Sequence, residues 1–247
     1  MLRSAVRRLG FLASRPTAES RPPDLEPEFW PLHEACRHAT MTSTERLYAL
    51  YQAVEYVVRH NLPGDFVECG VWRGGSVMMM ALALQKFGAT RNIHCFDTFE
   101  GMPPPTGADV QHETGESAAS ILSRTRRHDD DYLWAVAALD LVKKNVESTG
   151  YPPDLVGYHK GRVEDTLPDR APEAIAILRL DTDWYESTKH ELAHLYPRLA
   201  RGGILIIDDY GFWRGARKAT DEYLAQTQAK LFLGRIDDTG RIGVKLT

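Results

Sequence analysis

Hydrophobic positions along the chain alternate between helical spacing and short continuous runs. Between residues 42 and 60, apolar side chains recur every three or four positions, which predicts an amphipathic helix with Ser43 or Thr44 as its cap. Short apolar runs follow at 65–71, 92–97, 155–161, 175–181 and 203–208. Because helical patterns separate these five runs, the sequence predicts a mainly parallel, doubly wound α/β sheet with helices on both faces.

The segments between and after the strands complete the predicted domain. Helical patterns occupy 76–88, about 131–148, 186–199 and part of 210–226. The tail 231–246 predicts a C-terminal antiparallel hairpin, with 237-DDTG-240 as its turn. The long polar segment 99–130 predicts a lid inserted in the domain.

The first 28 residues differ from the rest in composition. They are rich in Arg and Pro, which predicts a flexible leader, and we expect residues 29–247 to form a single domain.

Composition narrows the class of partner. The formal net charge is -4, so the chain lacks the basic excess that a nucleic-acid partner requires. No apolar run approaches the roughly 20 residues that span a bilayer. The three cysteines show no CxxC spacing, which favours buried free thiols in a reducing compartment. We therefore expect a cytoplasmic protein that binds neither nucleic acid nor membrane.

Acidic residues end most of the predicted strands. In open parallel sheets, ligands bind at the carboxyl ends of the strands. The residues expected there are Glu68, Asp97, Asp181 with Asp183, and Asp208 with Asp209. The sequence thus predicts an acidic site at one edge of the sheet.

The first strand leads into the glycine-rich turn 68-ECGVWRGGS-76. The turn lacks the lysine of a Walker A loop, and its spacing does not match the dinucleotide fingerprint. It fits the acid-x-glycine turn of enzymes that use S-adenosylmethionine, where Glu68 would face the cationic amino group of the ligand. Asp97, at the end of the next strand, would accept hydrogen bonds from two ribose hydroxyls. The alternative is that both acids are solvated residues at loop edges.

The second group of acids favours a metal site. Asp181, Asp208 and Asp209 could converge, and three carboxylates repel one another unless a cation neutralises them. Oxygen ligands favour Mg²⁺, or else Mn²⁺ or Ca²⁺. Asp183 would lie close enough to remove a proton from a bound hydroxyl. Two alternatives stay open: these acids cap helices, or 181-DTD-183 is the DxD motif of a nucleotide-sugar glycosyltransferase.

With these motifs, the chain resembles the macrocin O-methyltransferase (TylF-like) family. The resemblance rests on five stretches: 65-DFVECGVWRGGS-76, 96-FDTFEGMPPPT-106, 161-GRVEDTLP-168, 180-LDTDWYESTKHEL-192 and 202-GGILIIDDYG-211. It implies a class I methyltransferase (Rossmann-like) fold. It also implies Mg²⁺-dependent methyl transfer from S-adenosylmethionine to a sugar hydroxyl, as on a deoxysugar of a glycosylated natural product.

The resemblance also assigns roles to residues. Asp181, Asp208 and Asp209 would hold the metal, and Asp183 would be the general base. Lid residues 99–130 would close over a small-molecule glycoside. The S-adenosylmethionine site would consist of Thr40, Met41, Glu68, Gly70, Val71, Trp72, Gly74, Gly75, Asp97, Thr98, Gly101, Arg162 and Val163. A homo-oligomer formed through the N-terminal helices is expected. A catechol-type O-methyltransferase and a methyltransferase-like scaffold without turnover are the alternatives.

Overall fold

A seven-stranded sheet forms the centre of the computed structural model, which describes residues 21–124 and 133–247. The strands are β1 (Asp65–Cys69), β2 (Ile93–Asp97), β3 (Val156–Lys160), β4 (Ile175–Leu180), β5 (Leu199–Ile207), β6 (Leu231–Arg235) and β7 (Arg241–Lys245). Their order is β3-β2-β1-β4-β5-β7-β6. The first five are parallel, and β7 pairs antiparallel with both β5 and β6. The predicted class I fold with an antiparallel C-terminal hairpin is confirmed.

Helices cover both faces of this sheet. They are α1 (Phe29–Cys36), α2 (Thr44–Arg59), α3 (Gly75–Lys86), α4 (Ala118–Leu122), α5 (Leu139–Glu147), α6 (Val163–Thr166), α7 (Tyr185–Leu195) and α8 (Arg214–Thr227). The cap predicted for α2 is confirmed, because the Ser43 side chain accepts a hydrogen bond from the backbone of Arg46. None of the helices within the described residues is long and apolar enough to cross a membrane.

The N-terminal region is described from residue 21. Residues 21–28 form turns that lead into α1, whose first residue, Phe29, is fully buried. Most of the predicted flexible leader, residues 1–20, lies outside the described residues, so its flexibility stays a prediction. The same holds for lid residues 125–130.

Two predicted helix limits are wrong. The helix expected from about Asp131 begins at Leu139 instead; Asp131 itself lies outside the described residues. The reason is a left-handed turn at Ala135, where φ is +46° and a helix cannot continue. The helix expected to reach 199 ends at Leu195, because Pro197 follows and cannot donate the next helical hydrogen bond.

Apolar side chains fill both faces of the sheet. One core packs α1, α2, α3 and α5 against it, and a second core lies on the α7 face. All six residues of β4 are buried, as expected for a strand covered on both sides. The three cysteines are buried and free, as predicted. Among the buried residues of the strands two are charged, Glu68 on β1 and Arg179 on β4, and the register of the two strands places them side by side.

Candidate active site

A cavity of about 580 Å³ opens at the carboxyl ends of the parallel strands. Backbone hydrogen bonds continue the sheet just past each strand: Gly70 N–H donates to Phe96, and Asp208 N–H donates to Leu180. The turns that follow the strands are therefore fixed relative to one another. The predicted residues that line the cavity are Thr40, Met41, Glu68, Gly70, Val71, Trp72, Gly75, Asp97, Thr98, Gly101, Arg162, Val163, Asp181, Asp183, Asp208 and Asp209.

The glycine-rich turn needs its glycines for two reasons. Gly70 has φ of +83°, and a Cβ there would overlap the backbone carbonyl of Asp181. A Cβ on Gly75 would lie 2.6 Å from the Ala39 carbonyl oxygen. Close backbone approach therefore brings together the segments that hold Glu68, Asp181 and the residues before α2.

Gly74 is the one predicted site residue that does not line the cavity. It precedes α3 with φ of +90° and faces α5. A Cβ there would lie 3.2 Å from Val142 and 3.3 Å from Val146. Its position is explained by helix packing.

Asp97 is committed mainly to the protein backbone. Its Oδ2 accepts the amide hydrogens of Val71 and Trp72 at 2.6 and 3.1 Å, and its Oδ1 accepts that of Phe99 at 2.7 Å. Burial raises the pKa of this carboxyl, although the three amides oppose that shift. The Thr98 hydroxyl lies 3.5 Å from Oδ1 as well, so protein groups already approach most of the roughly four acceptor sites of this carboxylate, and the bonds to two ribose hydroxyls stay a prediction.

Glu68 is buried at the other side of the turn, with 1% of its surface exposed. Burial raises the pKa of its carboxyl to about 7, although the ion pair with Arg179 opposes the shift. Its Oε2 has no hydrogen-bond partner in the described part of the chain. A buried acceptor oxygen beside the cavity suits a cationic group such as the amino group of a methionine moiety.

The acids that follow β4 and β5 converge as predicted. One carboxylate oxygen from each of Asp181, Asp208 and Asp209 lies within 4.8 Å of the others. Burial raises the pKa of Asp181 well above its ordinary value, and the neighbouring carboxylates of Asp208 and Asp209 add to the shift, while Arg179 opposes it. A group of three oxygen donors, without histidine or cysteine, fits Mg²⁺ or Mn²⁺.

Asp183 lies on the turn between β4 and α7, with φ of +69°. It is buried, and its Oδ2 accepts a hydrogen bond of 3.1 Å from the indole nitrogen of Trp213. The Trp213 ring packs edge-on against Trp184, with ring centres 5.0 Å apart. The two tryptophans therefore belong to a small core beneath the lid, and Trp213 also fixes the carboxylate predicted to be the base.

Two arginines beside these acids were not predicted. Arg179 donates to Glu68, to Asp181 and to Asp208, and only 3% of its surface is exposed. Arg46, in the first turn of α2, is ion-paired with Asp208. The charged residue in the otherwise apolar stretch 175-IAILRL-180 was the available signal for Arg179. Arg46 gave no such signal, because a charge on an amphipathic helix is ordinary.

The hairpin turn and the lid form the remaining walls. Asp237, in the turn between β6 and β7, accepts hydrogen bonds from Ser43 at 2.7 Å and from Arg46 at 2.8 Å. Sequence alone gave no reason to place this turn at the site.

The lid contributes Gln111 and Glu113 to the cavity. It is joined to the segment after β5 by a bridge between Gln111 and Trp213, and by a 2.8 Å hydrogen bond from His112 N–H to the Phe212 carbonyl.

Comparison with known proteins agrees with this geometry. The model of the macrocin-O-methyltransferase (TylF) family matches residues 26–242. The 8-demethyl-8-(2,3-dimethoxy-alpha-L-rhamnosyl)-tetracenomycin-C 4'-O-methyltransferase of Streptomyces olivaceus is 37% identical over 223 residues, which are 88% of this chain and 80% of the relative. Demethyldecarbamoylnovobiocin O-methyltransferase of Streptomyces niveus is 34% identical over 202 residues, 81% of this chain and 73% of the relative.

A solved structure gives the same result. The O-methyltransferase NovP superposes with a TM-score of 0.73 at 33% identity, over 85% of this chain and 83% of that chain. The glycosyltransferase alternative suggested by 181-DTD-183 is wrong, since NovP and both of these relatives are O-methyltransferases. The chain belongs to the macrocin-O-methyltransferase (TylF) family and is an S-adenosylmethionine-dependent O-methyltransferase.

Proposed function

We propose that the protein transfers the methyl group of S-adenosylmethionine to a hydroxyl of a sugar on a small-molecule glycoside, with the help of a divalent metal ion. The observation that carries the proposal is a single cavity with two differently built ends. The glycine-rich turn and Glu68 form one end, and Asp181, Asp208 and Asp209 form the other. Asp183 lines the same cavity.

The donor end suits S-adenosylmethionine in charge and shape. Glu68 would accept the amino group of the methionine moiety, because its buried Oε2 lacks a partner among the described residues. Asp97 would hold the turn through three backbone amides and would accept hydrogen bonds from the two ribose hydroxyls. Thr40 and Met41 line the cavity near the methionine end proposed for the donor, while Arg162 and Val163 would lie near the adenine.

The metal end suits an acceptor that carries hydroxyls. Asp181, Asp208 and Asp209 would hold the ion, and a divalent ion there supplies Lewis-acid polarisation of an acceptor hydroxyl. Asp183 would take the hydroxyl proton on its carboxylate as the oxygen attacks the methyl group. The Trp213 indole N–H keeps that carboxylate in place, and the buried surroundings limit the access of water.

The sugar acceptor is supported by a named relative. The Streptomyces olivaceus enzyme is a 4'-O-methyltransferase whose name includes a rhamnosyl group. We infer that this chain also takes a glycoside and that lid residues 99–130 close over it. A catechol acceptor is the competing possibility, since it also offers two adjacent hydroxyls to a metal.

Titration calorimetry tests the donor and metal sites. We expect S-adenosylmethionine to bind the wild-type protein, and Mn²⁺, used as a probe for Mg²⁺, to bind in a second titration. Asp208→Ala should lose most Mn²⁺ affinity and keep donor binding, because Asp208 belongs to the acid cluster. Asp221→Ala, on the exposed face of α8, serves as the matched control. Full activity of Asp208→Ala with all metal chelated would disprove the metal site.

Acceptor assays test the sugar. S-adenosylhomocysteine release should be measured with a panel of deoxysugar glycosides and with simple catechols, with and without Mg²⁺. Metal-dependent release with a glycoside supports the proposal, whereas turnover of catechols alone favours the alternative.

A further inference from the structure

Arg179 is a buried positive charge at the site, with 3% of its surface exposed, and the proposed chemistry does not use it. The residue lies on β4 beside Glu68 of β1. Its Nη1 contacts the carboxylates of Glu68 and Asp181, the latter at 2.9 Å, and its Nη2 contacts that of Asp208 at 2.5 Å. One guanidinium group therefore joins the acid of the donor end to two acids of the metal end.

The group stays charged in this position. Arginine is not deprotonated in proteins, and the carboxylates of Glu68, Asp181 and Asp208 all contact this guanidinium. A planar guanidinium with five N–H donors suits contact with several carboxylates at once. Without it, the buried carboxylates of Glu68 and Asp208 would lose this counter-charge, which is costly.

We propose that Arg179 is an internal counter-cation of the active site, which positions Glu68, Asp181 and Asp208 and competes with the divalent metal for the last two. The inference rests on the proposed metal site. An ion held by Asp181 and Asp208 either takes oxygens that the guanidinium already contacts or meets a second positive charge at hydrogen-bonding range. In both cases the guanidinium lowers the affinity for the metal.

Arg46 differs from Arg179 in a way that sharpens the inference. It contacts Asp208 alone within the metal group, its side chain is more exposed at 15%, and its other partner is Asp237 of the hairpin turn. Arg179 contacts two of the three proposed ligands and is 3% exposed. Removal of Arg179 should therefore change the metal affinity more than removal of Arg46.

The experiment measures Mn²⁺ binding through the electron paramagnetic resonance signal of the free ion. Wild-type protein is compared with Arg179→Met, Arg179→Lys and Arg46→Met. We expect Arg179→Met to bind Mn²⁺ about tenfold more tightly than wild type, because a competing charge has been removed. Thermal unfolding should show the same linkage, with a larger Mn²⁺-induced rise in Tm for Arg179→Met than for wild type.

Two variants keep the test decisive. Arg217→Met, an exposed arginine on α8, should leave Mn²⁺ affinity unchanged and controls for loss of positive charge. If Arg179→Met does not fold without metal, Mn²⁺ binding by Arg179→Lys still tests the inference. Lysine keeps the charge but lacks the planar fork that reaches three carboxylates, so its Mn²⁺ affinity should still exceed that of wild type.

The outcomes separate the inference from the proposed function. Equal or weaker Mn²⁺ binding by both Arg179 variants, with binding still lost in Asp208→Ala, overturns the counter-cation and leaves the metal site intact. Failure of wild type and of all variants to bind Mn²⁺, with S-adenosylmethionine still bound, overturns the metal part of the proposed function and the inference with it.

Discussion

The two ends of the cavity are built on different principles. At the donor end, Asp97 binds the backbone amides of Val71 and Trp72, so the carboxylate organises the turn beside it. At the metal end, Asp181 and Asp208 come from neighbouring strands and are held by guanidinium groups. Backbone amides give a fixed partner, whereas a guanidinium is a counter-charge that another cation can replace.

This difference shows what each end requires. The backbone hydrogen bonds that Asp97 makes to this turn do not depend on a ligand, because both partners belong to the chain. A group of carboxylates needs positive charge to stay together. Asp97 at the donor end therefore relies on backbone amides of the adjoining turn, whereas Asp181 and Asp208 at the metal end rely on the charged side chains of other elements.

The largest effect is expected from Asp183→Asn, which changes the chemistry and leaves both ends in place. Asparagine can still accept the Trp213 hydrogen bond but cannot take a proton at neutral pH. Turnover, measured as S-adenosylhomocysteine release, should fall roughly 10²- to 10⁴-fold, while calorimetry shows unchanged donor binding. The matched change Asp221→Asn, on α8, should leave turnover at the wild-type rate. Normal turnover by Asp183→Asn would remove Asp183 from the role of base.

The next effect comes from Gly70→Ala, at the point where the two ends touch. The added Cβ would overlap the Asp181 carbonyl in a left-handed backbone conformation. We expect a loss of about 3 kcal/mol in the free energy of unfolding, measured by urea denaturation, and weaker binding of both S-adenosylmethionine and Mn²⁺.

Gly88→Ala is the control for that substitution. Gly88 has φ of +66°, and a Cβ there would meet no other atom within 4 Å. The loss in free energy of unfolding should therefore be only about 1 kcal/mol, with no change in the binding of S-adenosylmethionine or Mn²⁺. Equal costs at the two glycines would show that the contact with Asp181 contributes nothing.

The smallest effect concerns the pH dependence of folding stability, which involves a histidine on β3. His159 on β3 stacks on Phe96 and lies 3.2 Å from a ring nitrogen of His94, whose other nitrogen contacts Asp65. Burial, with the nearby His94 and Arg170, lowers the pKa of His159 to about 4. The unfolded chain takes up a proton below about pH 6.5 and the folded chain does not, so stability falls as pH drops from about 6.5 toward 4.

Thermal unfolding at pH 7 and pH 5 measures this effect. The Tm of wild type should fall further between pH 7 and pH 5 than the Tm of His159→Gln, because glutamine does not take up a proton in that range. An identical loss in both proteins would assign the acid sensitivity to other groups.

The sequence predicted the parts of the fold that periodicity encodes. The strands, their parallel arrangement and the hairpin followed from short apolar runs and from turns such as 237-DDTG-240. The end of the helix at Leu195 was missed because the helical pattern of residues 186–199 was given more weight than Pro197. Proline is the stronger signal for the end of a helix. The start of α5 was missed because the left-handed turn at Ala135 has no glycine to mark it.

The site could be predicted for residues that directly follow a parallel strand, because their place in the chain sets their place in the fold. Parallel strands bring their carboxyl ends to one edge, so the convergence of Asp181, Asp208 and Asp209 followed from the order of the motifs. Arg46 and Asp237 could not be placed in this way. Their contact joins α2 to the hairpin turn, and only the packed structure brings those elements together.

The strand order has a consequence for synthesis of the protein. β7 lies between β5 and β6, so the edge of β5 beside Asp208 and Asp209 has no partner until residues 241–245 have been made. Ser43 and Arg46 likewise await Asp237, which follows them by 194 and 191 positions. A growing chain on the ribosome therefore carries an open sheet edge and an unfinished cavity until the hairpin of β6 and β7 has been made, and the ability to hold its ligands waits for that hairpin.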